Sequence, residues 1–142
     1  MAEPVRAIQV PSNLEREIER EAEQRGKSWS ATTVELLEEA IRMRRVPGIS
    51  FSEGPAGRRA GVAGSGLDVW EVVATWRQVG QDLGRLRQEY PWLTEPQLRA
   101  ALTYYELYPG EIDARLAREE EWTPAKVSSE LARAKQKGPR QG

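Results

Sequence analysis

The side chains that most often do chemistry are missing from this chain: its 142 residues include neither histidine nor cysteine. Imidazole general bases, Ser-His and Cys-His nucleophilic pairs, His-ligated zinc, thiolate catalysis, disulfides and Cys-ligated metals are thereby excluded. Carboxylate, amine, guanidinium, amide and hydroxyl groups remain. An enzyme built from these would gather Asp and Glu around a metal ion, and no Asp/Glu spacing in the chain recommends such a site. The expectation is a protein that binds rather than catalyses, with no cofactor and no metal.

Two features could hold an anion. The run Gly61-Val62-Ala63-Gly64-Ser65-Gly66 invites a phosphate-loop reading, which fails on its continuation. Leu67-Asp68 follows where a Walker loop needs Lys then Ser or Thr, and Val69 stands where a dinucleotide fingerprint needs Gly. The run reads instead as a tight turn feeding a helix capped by Asp68, with Glu71 completing a capping box. Arg58-Arg59 reads as a solvated pair, with an anion or DNA contact as the other reading. Lys and Arg total 21 against 22 Asp and Glu, so the chain has no bulk positive field. Any nucleic-acid contact must come from a local patch or from basic groups concentrated by dimerisation.

The elements that would position these groups follow from the chain's punctuation. Residues 12–45, rich in Glu, Arg, Leu and Ala, read as helical; residues 68–121 do so again, broken at Gly80, Tyr90-Pro91 and Pro109-Gly110. Between them lies a Gly-rich middle beginning at Pro47-Gly48. Ahead of the first helical stretch, Ile8 and Val10 alternate with Ala7 and Gln9, which predicts a short strand that Pro11 terminates. Ser12-Asn13-Leu14-Glu15 predicts a capping box, Leu14, Ile18 and Ala22 a narrow apolar stripe, and Gly26 a C-terminal cap. Ser28-Trp29-Ser30 restarts the chain with Ser30 as N-cap, and Val34, Leu37, Ile41 and Arg44 then share a face. About 40 residues with one strand and two thin stripes bury too little apolar surface alone, and a lone strand leaves both edges unpaired. Both problems disappear if two copies pair their strands antiparallel and pack four helices together.

In the second half, residues 48–52 and 58–63 predict a small hairpin across Gly54-Pro55-Ala56-Gly57. Val69, Val72, Val73 and Trp76 face inward from a first helix, and Leu83 and Leu86 from a second. Thr94 as cap, Pro96 in the first turn and Gln97 at the box position open a third, with Leu98, Ala101, Leu102 and Tyr105 pointing inward. Three short helices with a tight turn before the last form a helix-turn-helix-like module. Trp70, Trp76, Tyr90, Trp92, Tyr104, Tyr105 and Tyr108 fall at helical spacings that suit core packing better than base stacking. The tail carries Trp122, a helix start at Thr123-Pro124, a sparse stripe of Val127 and Leu131, and the basic residues Arg133, Lys135, Lys137 and Arg140. It reads either as a segment that folds upon a partner or as a frayed end with Trp122 tucked against the helical module.

The strand-helix-helix order, with the junction Gly26-Lys27-Ser28-Trp29-Ser30-Ala31, resembles the ribbon-helix-helix DNA-binding family. That resemblance implies an intertwined homodimer whose ribbon enters the major groove, while the start of the second helix grips phosphate. Carried over, it places Ala7 and Gln9 toward the bases and Lys27, Ser28 and Ser30 at the phosphate-contacting turn. Gln can read adenine bidentately and Ala can touch a thymine methyl. Only Gln9 is plainly polar on this ribbon, so a ribbon kept for dimerisation alone is the other reading.

In the second half, Gly64-Ser65-Gly66-Leu67-Asp68-Val69-Trp70-Glu71-Val72-Val73, Tyr90-Pro91-Trp92-Leu93-Thr94 and Ala100-Ala101-Leu102-Thr103-Tyr104-Tyr105 resemble the domain-of-unknown-function family 433, over about residues 48–118. This small helical domain recurs in VapB-like bacterial antitoxins. The two resemblances together imply the antitoxin of a type II toxin–antitoxin pair that binds operator DNA as a dimer and neutralises a PIN-like ribonuclease toxin. Trp122, Val127, Leu131, Arg133 and Arg140 are then the partner-binding residues, with Arg133 or Arg140 entering the toxin's carboxylate–magnesium site. The alternatives are a free-standing dimeric transcriptional repressor and an adaptor whose ribbon only dimerises. The expected organisation is a mainly α chain: residues 1–46 the ribbon-helix-helix domain, 47–67 a Gly-rich linker and hairpin, 68–121 the helical module and 122–142 the partner-binding tail. Met1-Ala2-Glu3-Pro4 has no secretory character, and no apolar run approaches the roughly 20 residues of a membrane helix, so a cytoplasmic protein is expected.

Overall fold

The computed structural model describes residues 3–55, 57–121 and 131–134. The chain forms two compact units, Met1–Arg45 and Val46–Gly142. Among the described residues no helix is long and apolar enough to cross a membrane.

In the first unit, residues 3–11 are neither helix nor strand, and all but Val10 are exposed. The strand expected here is not formed in the single chain, because its backbone amides and carbonyls have no second strand to pair with. Helix α1 (Ser12–Arg25) opens behind Pro11, whose fixed φ of −57° and extended ψ of 145° set the helix entry. The Pro11 carbonyl accepts from the Glu15 amide at 2.9 Å. The expected capping box at Ser12 is therefore not made: the cap position falls to Pro11, which has no side-chain acceptor. Gly26 closes α1 in the left-handed region at φ 65°, and the Lys27 amide returns to the Ala22 carbonyl at 3.0 Å. Helix α2 (Trp29–Arg45) starts earlier than Ser30 predicts, because the Ser28 hydroxyl takes the capping role and accepts from the Ala31 amide at 3.1 Å.

The two helices bury Ile18, Ala22, Thr32 and Glu39, whereas Leu14 stays largely exposed. The polar ties are denser than the apolar ones. Arg25, its side chain only 4% exposed, donates to Glu21 at 3.1 Å, Glu35 at 2.6 Å and Glu39 at 3.1 Å, so a residue at the end of α1 clasps three carboxylates on both helices.

The second unit begins with an antiparallel hairpin, β1 (Ile49–Gly54) and β2 (Gly57–Val62), in register Ile49↔Val62 through Gly54↔Gly57. Four helices follow: α3 (Val69–Gln78), α4 (Leu83–Glu89), α5 (Glu95–Leu107) and α6 (Pro109–Glu121). The core combines the hairpin's Ile49, Ala60 and Val62 with Val69, Val72 and Val73 of α3, Leu86 of α4, Leu98 and Ala101 of α5, and Ile112 and Leu116 of α6. Thr94 caps α5 as expected: its hydroxyl accepts from the Gln97 amide while Gln97 Oε1 accepts from the Thr94 amide.

Three expectations fail in this unit. Asp68 stands at the N-cap of α3 but its carboxylate caps no amide there. It instead accepts from the neutral Trp70 indole at 3.1 Å and pairs with the charged Arg59 at 3.3 Å, the ionic partner being a stronger one than a backbone N–H. On α5, Tyr104 rather than Tyr105 is the fully buried ring; its hydroxyl donates to Glu111 at 2.8 Å, while Tyr105 is half-buried. Leu98 and Ala101 are fully buried as expected, while Ala100 and Tyr104 extend the buried face and Leu102 and Tyr105 pack at its margin. Trp92 is 65% exposed, its edge against Tyr90 at 5.6 Å, and so is no core residue.

Candidate functional site

The residues expected to meet DNA lie on the first unit and are solvent-facing. Ala7 and Gln9 are exposed in the extended segment, and Lys27, Ser28 and Ser30 are exposed where α1 turns into α2. The turn brings Lys27, Ser28 and Ser30 close in sequence and space at the start of α2. The hydroxyl of Ser28 is engaged in capping, and the Lys27 ammonium is held by Glu35 at 2.5 Å. Burial alone would raise the Glu35 carboxyl, but hydrogen bonds from Lys27 and Arg25 hold it below the usual glutamate value.

The first unit also carries an apolar row that sequence reading assigned to packing. Val34, Leu37 and Ile41 are 56%, 55% and 54% exposed, and they recur at helical spacing along α2. Val5 and Ile8 of the leading segment are exposed as well.

In the second unit, a cavity of about 150 Å³ opens between the hairpin, α3 and α6. Arg58 and Arg59 of β2, Trp70 of α3, and Glu111, Arg115 and Arg118 of α6 line it. The Arg115 guanidinium lies over the Trp70 ring, 4.9 Å from its centroid, and is anchored by Glu119 at 2.9 Å. Close behind, Glu71 is pushed up by burial and by the neighbouring Asp68 charge. The sequence signal for this cluster was the Arg58-Arg59 pair alone; its α6 members are 52 or more residues away and unrecognisable without the fold. Among the described residues, no group of three or more carboxylates gathers as a metal site would require.

The α5 groups that a helix-turn-helix reader would offer to bases are already engaged. Gln97 is spent on the capping box, and Arg99 donates twice to Glu95, at 3.0 and 2.8 Å. Across the other side, Arg77 of α3 meets Tyr105 and donates to Asp113 at 2.8 Å, tying α3, α5 and α6 together.

Residues 49–105 match the family model described as Protein of unknown function (DUF433). The chain carries a DUF433 domain. The match begins at the first residue of β1 and ends within α5, so α6 packs onto the DUF433 domain from outside the matched span, closing its core with Ile112 and Leu116. The arginine-lined cavity lies at that seam. No curated protein and no solved structure matches the chain.

Of the expected partner-binding residues, Leu131 and Arg133 fall in residues 131–134, which are helical and exposed. Trp122, Val127 and Arg140 lie outside the described residues.

Proposed function

We propose that this chain is the antitoxin of a bacterial type II toxin–antitoxin pair. Two copies join through the leading segment and the apolar face of α2, forming a ribbon-helix-helix dimer that binds operator DNA. The observation that carries this reading is the exposed row Val34, Leu37 and Ile41 in a two-helix unit that buries little else. Such a unit reaches a stable core by covering that face, and a second copy offers the same face in return. Pairing two extended segments satisfies the backbone of residues 5–10 and directs Ala7 and Gln9 to the side opposite Ile8 and Val10. Gln9 then has the donor–acceptor pair that adenine presents in the major groove. Lys27 and the first amides of α2 face phosphate.

The toxin half of the proposal rests on the resemblance of the second half to the domain found in VapB-like antitoxins. A PIN-like ribonuclease holds magnesium with carboxylates, and a tail arginine, Arg133 or Arg140, neutralises that site by insertion. Co-purification with the product of the adjacent gene, followed by retardation of the chain's own upstream duplex with and without that product, tests both halves. A stable complex that retards DNA better than the free dimer supports the antitoxin. Clean retardation with no partner replaces it with a free-standing repressor, and neither result leaves only an adaptor. If a chain truncated after Glu121 still inhibits the toxin, the tail has no part in neutralisation.

A further inference from the structure

We infer that the arginine-lined cavity at the seam between the DUF433 domain and α6 is a binding site for a phosphoryl group. It lies wholly in the unit Val46–Gly142 and stands whether or not the first unit binds DNA. Four guanidinium groups, Arg58, Arg59, Arg115 and Arg118, face one lining carboxylate, Glu111. Arg58 pairs with Glu53 at 3.5 Å, and Arg59 and Arg115 have carboxylates of their own; a guanidinium's five donors are enough to meet a second anion beside such a pair.

The arginines are also held in place. Arg59 directs its Nε to Asp68 at 3.3 Å and Ser52 at 3.3 Å, and Asp68 in turn accepts from Trp70. Arg115 is gripped by Glu119 through Nε and Nη2, both at 2.9 Å, and stacked on Trp70. Neither Asp68 nor Glu119 lines the cavity, so these carboxylates orient the guanidinium groups without occupying the space in front of them. Arg118 makes no hydrogen bond or ion pair among the described residues. A guanidinium presents five N–H donors in a planar fork that meets phosphate oxygens in pairs.

Size and shape select the ligand. A cavity of about 150 Å³ has room for a tetrahedral oxyanion. Guanidinium groups arriving from both the hairpin and α6 match a phosphate, whose oxygens point in several directions, better than a planar two-oxygen carboxylate. The phosphoryl group belongs either to a small phosphate ester or to a nucleic-acid backbone.

The test is calorimetric titration of the full chain at constant ionic strength with inorganic phosphate, a 5′-mononucleotide, and a single-stranded oligonucleotide lacking terminal phosphates. Arg118→Gln, an exposed substitution that removes no contact within the fold, is expected to weaken saturable binding about tenfold, as loss of one charged hydrogen-bond partner implies. Arg115→Gln is expected to weaken it at least as much, and Arg87→Gln on α4 to leave it unchanged. Tightest binding of the mononucleotide assigns the site to small phosphate esters, and tightest binding of the oligonucleotide to a backbone. The proposal is overturned if none of the three probes saturates, or if Arg118→Gln and Arg115→Gln both bind as the unsubstituted chain does. Saturable binding of a glutamate-rich peptide, with all three phosphates silent, overturns it as well.

Discussion

Leu37→Ala separates a dimer built on α2 from a chain that stands alone. In one copy Leu37 leaves 55% of its surface in water. Fully burying a leucine is worth roughly 2 kcal/mol, so covering the exposed share contributes about 1 kcal/mol per copy. A symmetric interface contains the residue twice, and truncation therefore costs the dimer about 2 kcal/mol, or roughly a thirtyfold rise in its dissociation constant. A cavity left unrelaxed at the interface adds to that figure. Sedimentation equilibrium across a range of concentrations reads the constant directly. Hydrogen exchange at the amides of Leu86 and Leu98, buried in the other unit, serves as the internal control and is expected to stay unchanged. A chain that is monomeric at tens of micromolar before substitution refutes the reasoning. So does a Leu37→Ala protein that dimerises as tightly as its parent.

Removing the clasp at the end of α1 is a second perturbation. Arg25→Ala removes the guanidinium that joins Glu21 on α1 to Glu35 and Glu39 on α2, and is expected to destabilise the first unit by about 2 kcal/mol, seen as loss of helical circular dichroism at lower temperature. The same network makes stability pH-dependent. The Glu35 carboxyl titrates in the folded chain below its ordinary 4.5, so its contribution is fully present above pH 4.5 and is lost as pH falls through the lower folded value. Glu35→Gln should lower the melting temperature at pH 7 and flatten its decline between pH 5 and pH 3; an unchanged acid limb contradicts the assignment. In the DUF433 domain, Tyr104→Phe keeps the buried ring and deletes its bond to Glu111, costing about 1 kcal/mol in a denaturant titration.

The second unit was legible because its signals are local and mutually consistent. Thr94-Glu95-Pro96-Gln97 specifies a cap, a proline where the missing amide does no harm, and a reciprocal box, and the helix begins there. Val69, Val72 and Val73 fall on one face of a helix, and α3 buries all three. The misread positions are those where a longer-range partner competed with the local one. Asp68 has the right type and place to cap α3, but Arg59 and the Trp70 indole, brought to it by the fold, hold its carboxylate. Tyr104 and Tyr105 are chemically alike and adjacent, so only the position of α6, which sets Glu111 beside one hydroxyl and Asp113 beside the other, decides which ring goes inside.

The first unit was legible in its helices and not in its strand: residues 3–11 are neither helix nor strand. A strand is a relation between two segments, and residues 5–10 have no second segment within one chain. The same holds for Val34, Leu37 and Ile41, whose spacing announces a buried face while one copy leaves it in water. What the spacing could not announce is the electrostatic setting of the turn between α1 and α2. Lys27, read as a phosphate contact, is paired with Glu35, which is also bonded to the buried Arg25. Hydrogen bonds from Lys27 and Arg25 keep Glu35 ionised, and it competes with any phosphate for the lysine. A phosphate that approaches α2 must displace that pairing, and the local affinity at Lys27 is correspondingly weaker than a lone lysine would give. In the DNA-bound dimer proposed above, the turn contributes placement more than attraction, and discrimination between DNA sequences is assigned to Gln9 and its counterpart on the second copy.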